Sequence, residues 1–325
     1  MSALQAFSPT EYGRAKRLLA TQVAAMMGRK LEEGDWTKVY CAAKGLSDPG
    51  WSNLHVDVNE NGLGLEMKLL RIANLNGHSI KVVCGTTLMH PAATRSIRID
   101  DGSACADDVM WSVFSQYAEL IQERTESVRE KAPGVDPAMR TGWLIWESGL
   151  SEFLYFEESM IIPDPNEYYA EWNETPARGA RKGSRSLWIF EKQSQRKRYS
   201  VTTSAGIKIQ PYFDVPPTSD PNLYYFRVQS EPVDNTTVVL WVAGQTARAL
   251  QRVLGSLDLD VVSGAVLRAV GSQSGATNPD DERQEELAVP IQISMEAHAR
   301  LVDCWGGAVS DEHRAQLLLK VLGGA

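Results

Sequence analysis

Three side chains in the first quarter of the chain stand at a spacing that could hydrolyse a phosphodiester. Asp57 is followed by an eight-residue spacer and then by Glu66-Met67-Lys68, the one acid-x-Lys triplet in the sequence. If Asp57 ends one strand and Leu65 to Leu70 form the paired strand, alternation puts Glu66 and Lys68 on one face. The turn through Gly62 then brings Asp57 beside Glu66. Two carboxylates and a nearby backbone carbonyl make a hard-oxygen site that suits Mg2+. A lysine next to them could orient or deprotonate a water, while the ion polarises the phosphate and stabilises the leaving oxygen. The alternative is an amphipathic edge strand that shows Glu66 and Lys68 outward as a surface ion pair, which adds little stability. On this segment alone the two readings are even.

The elements that must position these groups read as follows. Ser8-Pro9-Thr10-Glu11 predicts a helix start with a capping box, continued by Leu18, Leu19, Val23 and Met26. Trp51 to Val58 predicts a strand, Asn59 to Gly62 a turn, Leu63 to Ile72 the returning strand and Ile80 to Val83 a third. Asp107 to Lys131 is the strongest helix, with Met110, Val113, Phe114, Tyr117, Leu120, Ile121 and Val128 on one face. After Ala132-Pro133-Gly134 the texture turns to β. Hairpins are expected at Gly142–Trp146 with Phe153–Phe156, and at Ser186–Phe190 with Arg198–Thr202 around Gln193-Ser194-Gln195. Strands follow at Tyr224–Val228 and Thr237–Val242, then a helix at Thr246–Leu254. Ser272 to Glu286 reads as a polar loop, and helix starts are expected at Ser294 and Ser310.

The charge is unevenly spread. The chain of 325 residues carries a formal net charge of −8, yet between Thr175 and Gln210 stand nine basic residues against one acid, Glu191. That concentration predicts a polyanion partner, because phosphate contacts supply most nucleic-acid affinity; a solvated hairpin paired with carboxylates elsewhere is the alternative. Arg178, Arg181, Lys182 and Arg185 are the expected phosphate contacts. Arg196, Lys197 and Arg198 stand near the hairpin tip, where a ribbon could enter the major groove. Arg140 is a second candidate reader. Glu157 and Glu158 would repel phosphate, so they are expected off the backbone path or paired with arginine. The aromatic set Trp143, Trp146, Phe153, Tyr155 and Phe156 is expected to be core.

The segment Ser8 to Val83 resembles the PD-(D/E)XK nuclease superfamily, and within it the type II restriction endonucleases. The resemblance rests on the capped helix, Val56-Asp57, the spacer and Glu66-Met67-Lys68. Val56 stands where the family's motif has proline. The resemblance implies catalytic Asp57, Glu66 and Lys68, with Mg2+ held by Asp57 and Glu66. A further carboxylate from the leading helix region, Glu33, Glu32 or Glu11, could join them. It also implies a homodimer on double-stranded DNA, cleaving at a symmetric site, with a companion DNA methyltransferase. The alternatives are a less specific nuclease of DNA repair or phage defence, or a non-catalytic nucleic-acid-binding module.

Composition fits an ordinary globular chain, with 43% hydrophobic and 23% charged residues. The expected class is α/β (α+β): a mixed central sheet flanked by helices, a restriction-endonuclease-like core, with a β-rich extension and a small helical C-terminal tail. The organisation expected is a catalytic core at 1–135, a β-rich recognition and core-completing region at 136–255, and an acidic loop and helical tail at 256–325. Four scattered cysteines without a C-x-x-C pair predict reduced thiols in a cytoplasmic protein. No phosphate loop, dinucleotide fingerprint or nucleophile elbow is present. The five histidines have no ligand spacing; His55, two residues from Asp57, is the one nearest the chemistry.

Overall fold

Ser8 begins the first helix as the sequence predicts. Its N–H donates to Glu11 at 2.7 Å, and its hydroxyl accepts the Glu11 N–H at 3.3 Å. The computed structural model describes residues 3–26, 31–47, 56–73, 75–91, 97–177, 183–203, 208–269 and 289–305. Helices α1 (Pro9–Met26) and α2 (Glu33–Lys44) are followed by strands β1 (Val58–Glu60) and β2 (Leu63–Ile72). A 3-10 helix (Ile80–Val83), β3 (Thr87–Met89), α3 (Ala106–Lys131), β4 (Ala138–Glu147) and β5 (Glu152–Ser159) come next. Then follow β6 (Tyr168–Thr175), β7 (Ser184–Glu191), β8 (Lys197–Thr202), β9 (Lys208–Asp214), β10 (Tyr224–Arg227), β11 (Glu231–Pro232) and β12 (Thr237–Val242). Helices α4 (Gly244–Leu254) and α5 (Leu259–Ala269), β13 (Val289–Ser294) and α6 (Met295–Trp305) complete a mixed α+β fold.

The first sheet has the order β1-β2-β4-β5-β10. β2 and β4 run parallel, Glu66 opposite Thr141 and Lys68 opposite Trp143, while the other pairs are antiparallel. The β1–β2 turn is Asn61-Gly62, both with positive φ (52° and 80°), the geometry a two-residue hairpin with right-handed strand twist requires. Asn59 and Glu60, expected in the turn, belong to β1. On one face, Leu65, Met67, Leu144, Trp146 and Tyr155 pack under α1 and α2, where Trp36 and Tyr155 meet at 4.9 Å between ring centres. On the other, Trp143, Ile145, Leu154 and Phe156 pack on Ile80, Val83 and Phe213. The expected aromatic core is therefore buried, though split between the two faces. The first sheet also takes strands from both sides of residue 135.

A second, antiparallel sheet has the order β3-β9-β8-β7-β6, and α3 packs on it through Val109, Met110, Val113 and Phe114. Trp143 and Phe213 stack at 3.8 Å and 11°, pinning the two sheets together. Strands β11 to β13 and helices α4 to α6 form a smaller third core.

Ile80–Val83 is a 3-10 helix rather than a third strand. Ser79 caps it through the Lys81 N–H, and the i, i+3 spacing buries Ile80 and Val83 on one side. Four residues of this composition serve either conformation, and the cap decides. Two helices, α2 and α5, were not anticipated. The expected loop at 272–286 and helix start at Ser310 lie outside the described residues, as do His55 and the segment 51–55.

Candidate active site

β1 stops pairing at Val58, opposite Leu65, so the edge of β2 is uncovered from Glu66 onward. Asp57 fills the gap: its Oδ2 accepts the Met67 N–H at 2.6 Å, in place of a continued ladder. The same register, carried back one residue, sets Asp57 against Glu66. Alternation along β2 sends Met67 into the α1–α2 core, where it is fully buried. Glu66 and Lys68 face the other way, toward α3 and the second sheet, each only 8% exposed.

Glu66 is gripped on both oxygens. Lys68 Nζ lies 2.7 Å from Oε1, and Arg124 Nη1, from α3, lies 3.4 Å from Oε2. Glu33 Oε1 comes to 4.0 Å from Lys68 Nζ. Of the three acids considered in the leading region, Glu33 thus arrives at the site. Glu32 caps α2, reciprocally with Asp35, and Glu11 is occupied by Ser8 and Lys44.

Burial pushes Asp57 up to about 6, helped by the charge of Glu66; the Met67 N–H and Lys68 pull the other way. Burial acts to depress the Lys68 ammonium, but Glu66, Glu33 and Asp57 outweigh it and hold it above the ordinary lysine value. Lys68 is therefore a fixed cation at neutral pH, suited to donating a hydrogen bond and unsuited to taking a proton from water.

Among the described residues no three His, Cys, Asp or Glu groups stand close enough to enclose a metal ion as they are. The donor chemistry nevertheless fits a hard divalent cation: Asp57, Glu66 and Glu33 offer only carboxylate oxygen. Asp57 is raised chiefly by burial and next by the charge of Glu66. The fit requires Glu66 to exchange at least one of its present cations for the ion.

Above these groups lies a cleft of about 330 Å³ between the two sheets. Glu66, Lys68, Tyr117 and Arg124 line it from β2 and α3, and Glu191, Arg198 and Asp214 from the second sheet. Trp143, Phe156, Tyr168, Tyr199, Tyr212 and Phe213 supply aromatic walls around Glu158. Burial raises the Glu158 carboxyl although Trp143 Nε1–H donates to it at 2.8 Å. Arg124 and Tyr117 escaped the sequence reading of the site; Arg124 stands seven residues after Tyr117 on the same helix face, and that spacing was the available signal.

The expected DNA contacts are distributed differently. Arg178, Arg181 and Lys182 lie outside the described residues. Arg185 stacks on Trp172 at 4.2 Å and reaches Glu174 at 3.5 Å. Arg196 and Arg198 both meet Asp214 at 2.9 Å, and Arg198 also approaches Glu191 at 3.7 Å. Lys197 turns the other way, 3.7 Å from the Trp188 ring centre. The ladder passes from Ile189–Tyr199 to Phe190–Lys197, so Arg198 is the extra residue of a bulge, which directs it to the cleft. Arg140 points to the opposite face of the first sheet. There its Nη1 meets the fully buried Glu157 at 2.9 Å and the Gln5 carbonyl at 3.1 Å. Glu157 is thus paired with arginine, as expected, and Tyr155 donates to its other oxygen at 2.9 Å.

Comparison with protein-family models, curated proteins and solved structures finds no match for this chain. Among the described residues no helix is long and apolar enough to cross a membrane.

Proposed function

We propose that this chain is a Mg2+-dependent, sequence-specific double-stranded DNA endonuclease of the PD-(D/E)XK type, a type II restriction enzyme. The observation that carries the reading is the grouping at the uncovered edge of β2: Asp57 on the Met67 N–H, Glu66 at 2.7 Å from Lys68, and Glu33 at 4.0 Å from the same ammonium. A mixed sheet whose antiparallel β1–β2 pair is joined to a parallel β4 across α3 is consistent with a restriction-endonuclease-like core.

In this reading Asp57 and Glu66 would hold Mg2+, with Glu33 as a third carboxylate. The bound ion would polarise the phosphate and stabilise the leaving oxygen. Lys68, protonated at neutral pH, donates to the attacking water and orients its lone pair toward phosphorus. Burial of Glu66 and Lys68 fixes their geometry and strengthens their field. Two centres cut a symmetric duplex site, so the working form is a homodimer. The enzyme acts in the cytoplasm beside a methyltransferase that protects the same site.

A second reading rests on a specific observation. The 2.7 Å Glu66–Lys68 pair and the Arg124 contact are also what a buried structural ion network would show. The chain would then be a nucleic-acid-binding module without catalysis. Incubation with phage DNA, with and without Mg2+, separates the cases. Discrete Mg2+-dependent fragments support the restriction enzyme, and a smear supports a less specific nuclease of repair or defence. A salt-sensitive mobility shift without cleavage supports the module.

A further inference from the structure

We infer that Arg124 is the phosphate seat of this site: its guanidinium exchanges Glu66 for a non-bridging oxygen of the substrate phosphodiester when a divalent cation claims that carboxylate. The inference rests on the nuclease reading and adds a group that the Asp-Glu-Lys motif does not contain.

Three observations converge on it. The first is geometric. Lys68 meets Glu66 at 2.7 Å, within the roughly 2.7–2.9 Å expected of a tight charge-assisted bond, whereas Arg124 stands off at 3.4 Å. Arg124 is the looser of the two partners and the one a metal ion displaces at lower cost.

The second is an unsatisfied donor. Arg124 Nε is buried and has no hydrogen-bond partner among the described residues. A guanidinium carries five N–H donors in a planar fork that matches phosphate geometry. Arg124 lines the cleft with Glu66 and Lys68 and, among the described residues, makes one ion-pair contact, at 3.4 Å.

The third is charge. Three carboxylates, Asp57, Glu66 and Glu33, face two cations, Lys68 and Arg124, which leaves the group one negative charge in excess when all are ionised. A divalent ion turns that into one positive charge in excess, and one phosphodiester anion restores neutrality. Arg124 released from Glu66 is the only one of the two cations in this group whose bond to Glu66 is long enough to yield. The atoms exchanged are hydrogen-bond partners alone; no covalent bond changes.

The test reads two affinities that move in opposite directions. Mg2+ alone is titrated calorimetrically into the full-length wild type, Arg124→Met and Arg124→Gln. Duplex DNA binding is then measured in Ca2+ over a salt series. Loss of a charge-assisted contact corresponds to about a tenfold change or more. Both variants are expected to bind Mg2+ about tenfold more tightly, because Glu66 is relieved of a competitor, and DNA about tenfold more weakly. The slope of log K against log[salt] should fall by about one. Mg2+ affinity that is unchanged or weaker, or DNA affinity that is unchanged, overturns the assignment; two side chains of different polarity guard against misfolding of one. A wild type that neither binds Mg2+ nor cuts DNA overturns the underlying nuclease reading. A wild type that does both, with variants indistinguishable from it, overturns Arg124 alone.

Discussion

Asp57 holds the Met67 N–H at 2.6 Å, the one main-chain donor that lies between Glu66 and Lys68. A single carboxylate thus closes the sheet edge and borders the candidate metal site. Those two duties conflict, because burial beside Glu66 raises Asp57 to about 6 from 3.8.

The first prediction follows from that conflict. The folded protein binds the Asp57 proton more tightly than the unfolded chain does. Its stabilising contribution is fully present below about pH 4 and is lost as pH rises through about 6. A shift of this size corresponds to about 3 kcal/mol at pH 8. Asp57→Asn, whose amide oxygen can still accept the Met67 N–H, should melt higher than wild type at pH 8 and equally at pH 4. It should also abolish cleavage and any rise in Tm caused by Mg2+. Thermal melts at the two pH values, with and without Mg2+, check it.

Lys68 yields a prediction about the pH profile. Because Lys68 stays protonated, cleavage at sub-saturating Mg2+, where the metal-free site limits the rate, should rise as Asp57 ionises near pH 6 and show no further limb from a lysine base. Lys68→Met should lower the rate by several orders of magnitude. It should also move the acid limb upward, since Lys68 is one of the groups that hold Asp57 down. An unmoved limb in the residual activity would separate Lys68 from Asp57.

Arg140 is expected to behave as a structural residue. Removing it leaves Glu157 buried and unbalanced, which costs about 3–5 kcal/mol. Arg140→Ala should therefore fall in urea midpoint, and Arg140→Ala with Glu157→Gln should recover much of the loss. A folded Arg140→Ala of wild-type stability, impaired on one DNA sequence only, would reverse this.

The basic hairpin gives the fourth prediction. Asp214 ties up Arg196 and Arg198 together, so Asp214→Asn should free both. Affinity for all duplexes should increase, and the salt slope should steepen by about one to two units. Lys197→Ala should act differently, because Lys197 rests on the Trp188 and Tyr212 rings and has no part in that network. Gel-shift titrations over a range of salt distinguish the variants.

Much of the candidate site was legible because its logic is local. The register of β1 on β2 follows from Asn61-Gly62, and alternation then fixes which way Glu66 and Lys68 face. The Ser8–Glu11 cap and the hairpin around Gln193–Gln195 are equally short-range. What the chain order concealed depends on distant partners. Arg124 reaches Glu66 only because α3 crosses the sheet, and Arg198 finds Asp214 only after β9 has paired with β8. The positive charge of the hairpin looked available because its counter-charges, Glu174, Glu191 and Asp214, come from three separate strands. Helix α2 was missed because its start is an acidic Glu32–Asp35 box beside a glycine rather than a serine or threonine cap.

The parallel pairing of β2 with β4 sets a timetable for biosynthesis. Glu66 waits for Thr141, seventy-five residues later, before its strand has an inner neighbour, and β3 at Thr87 waits for Asp214. Such distant pairings form slowly, since loop closure must precede the contacts that reward it. A chain that ends between residues 68 and 214 carries all three motif residues and still lacks β9, which lines the cleft through Pro211 to Asp214. The candidate cleft is accordingly complete only once about two thirds of the polypeptide has emerged.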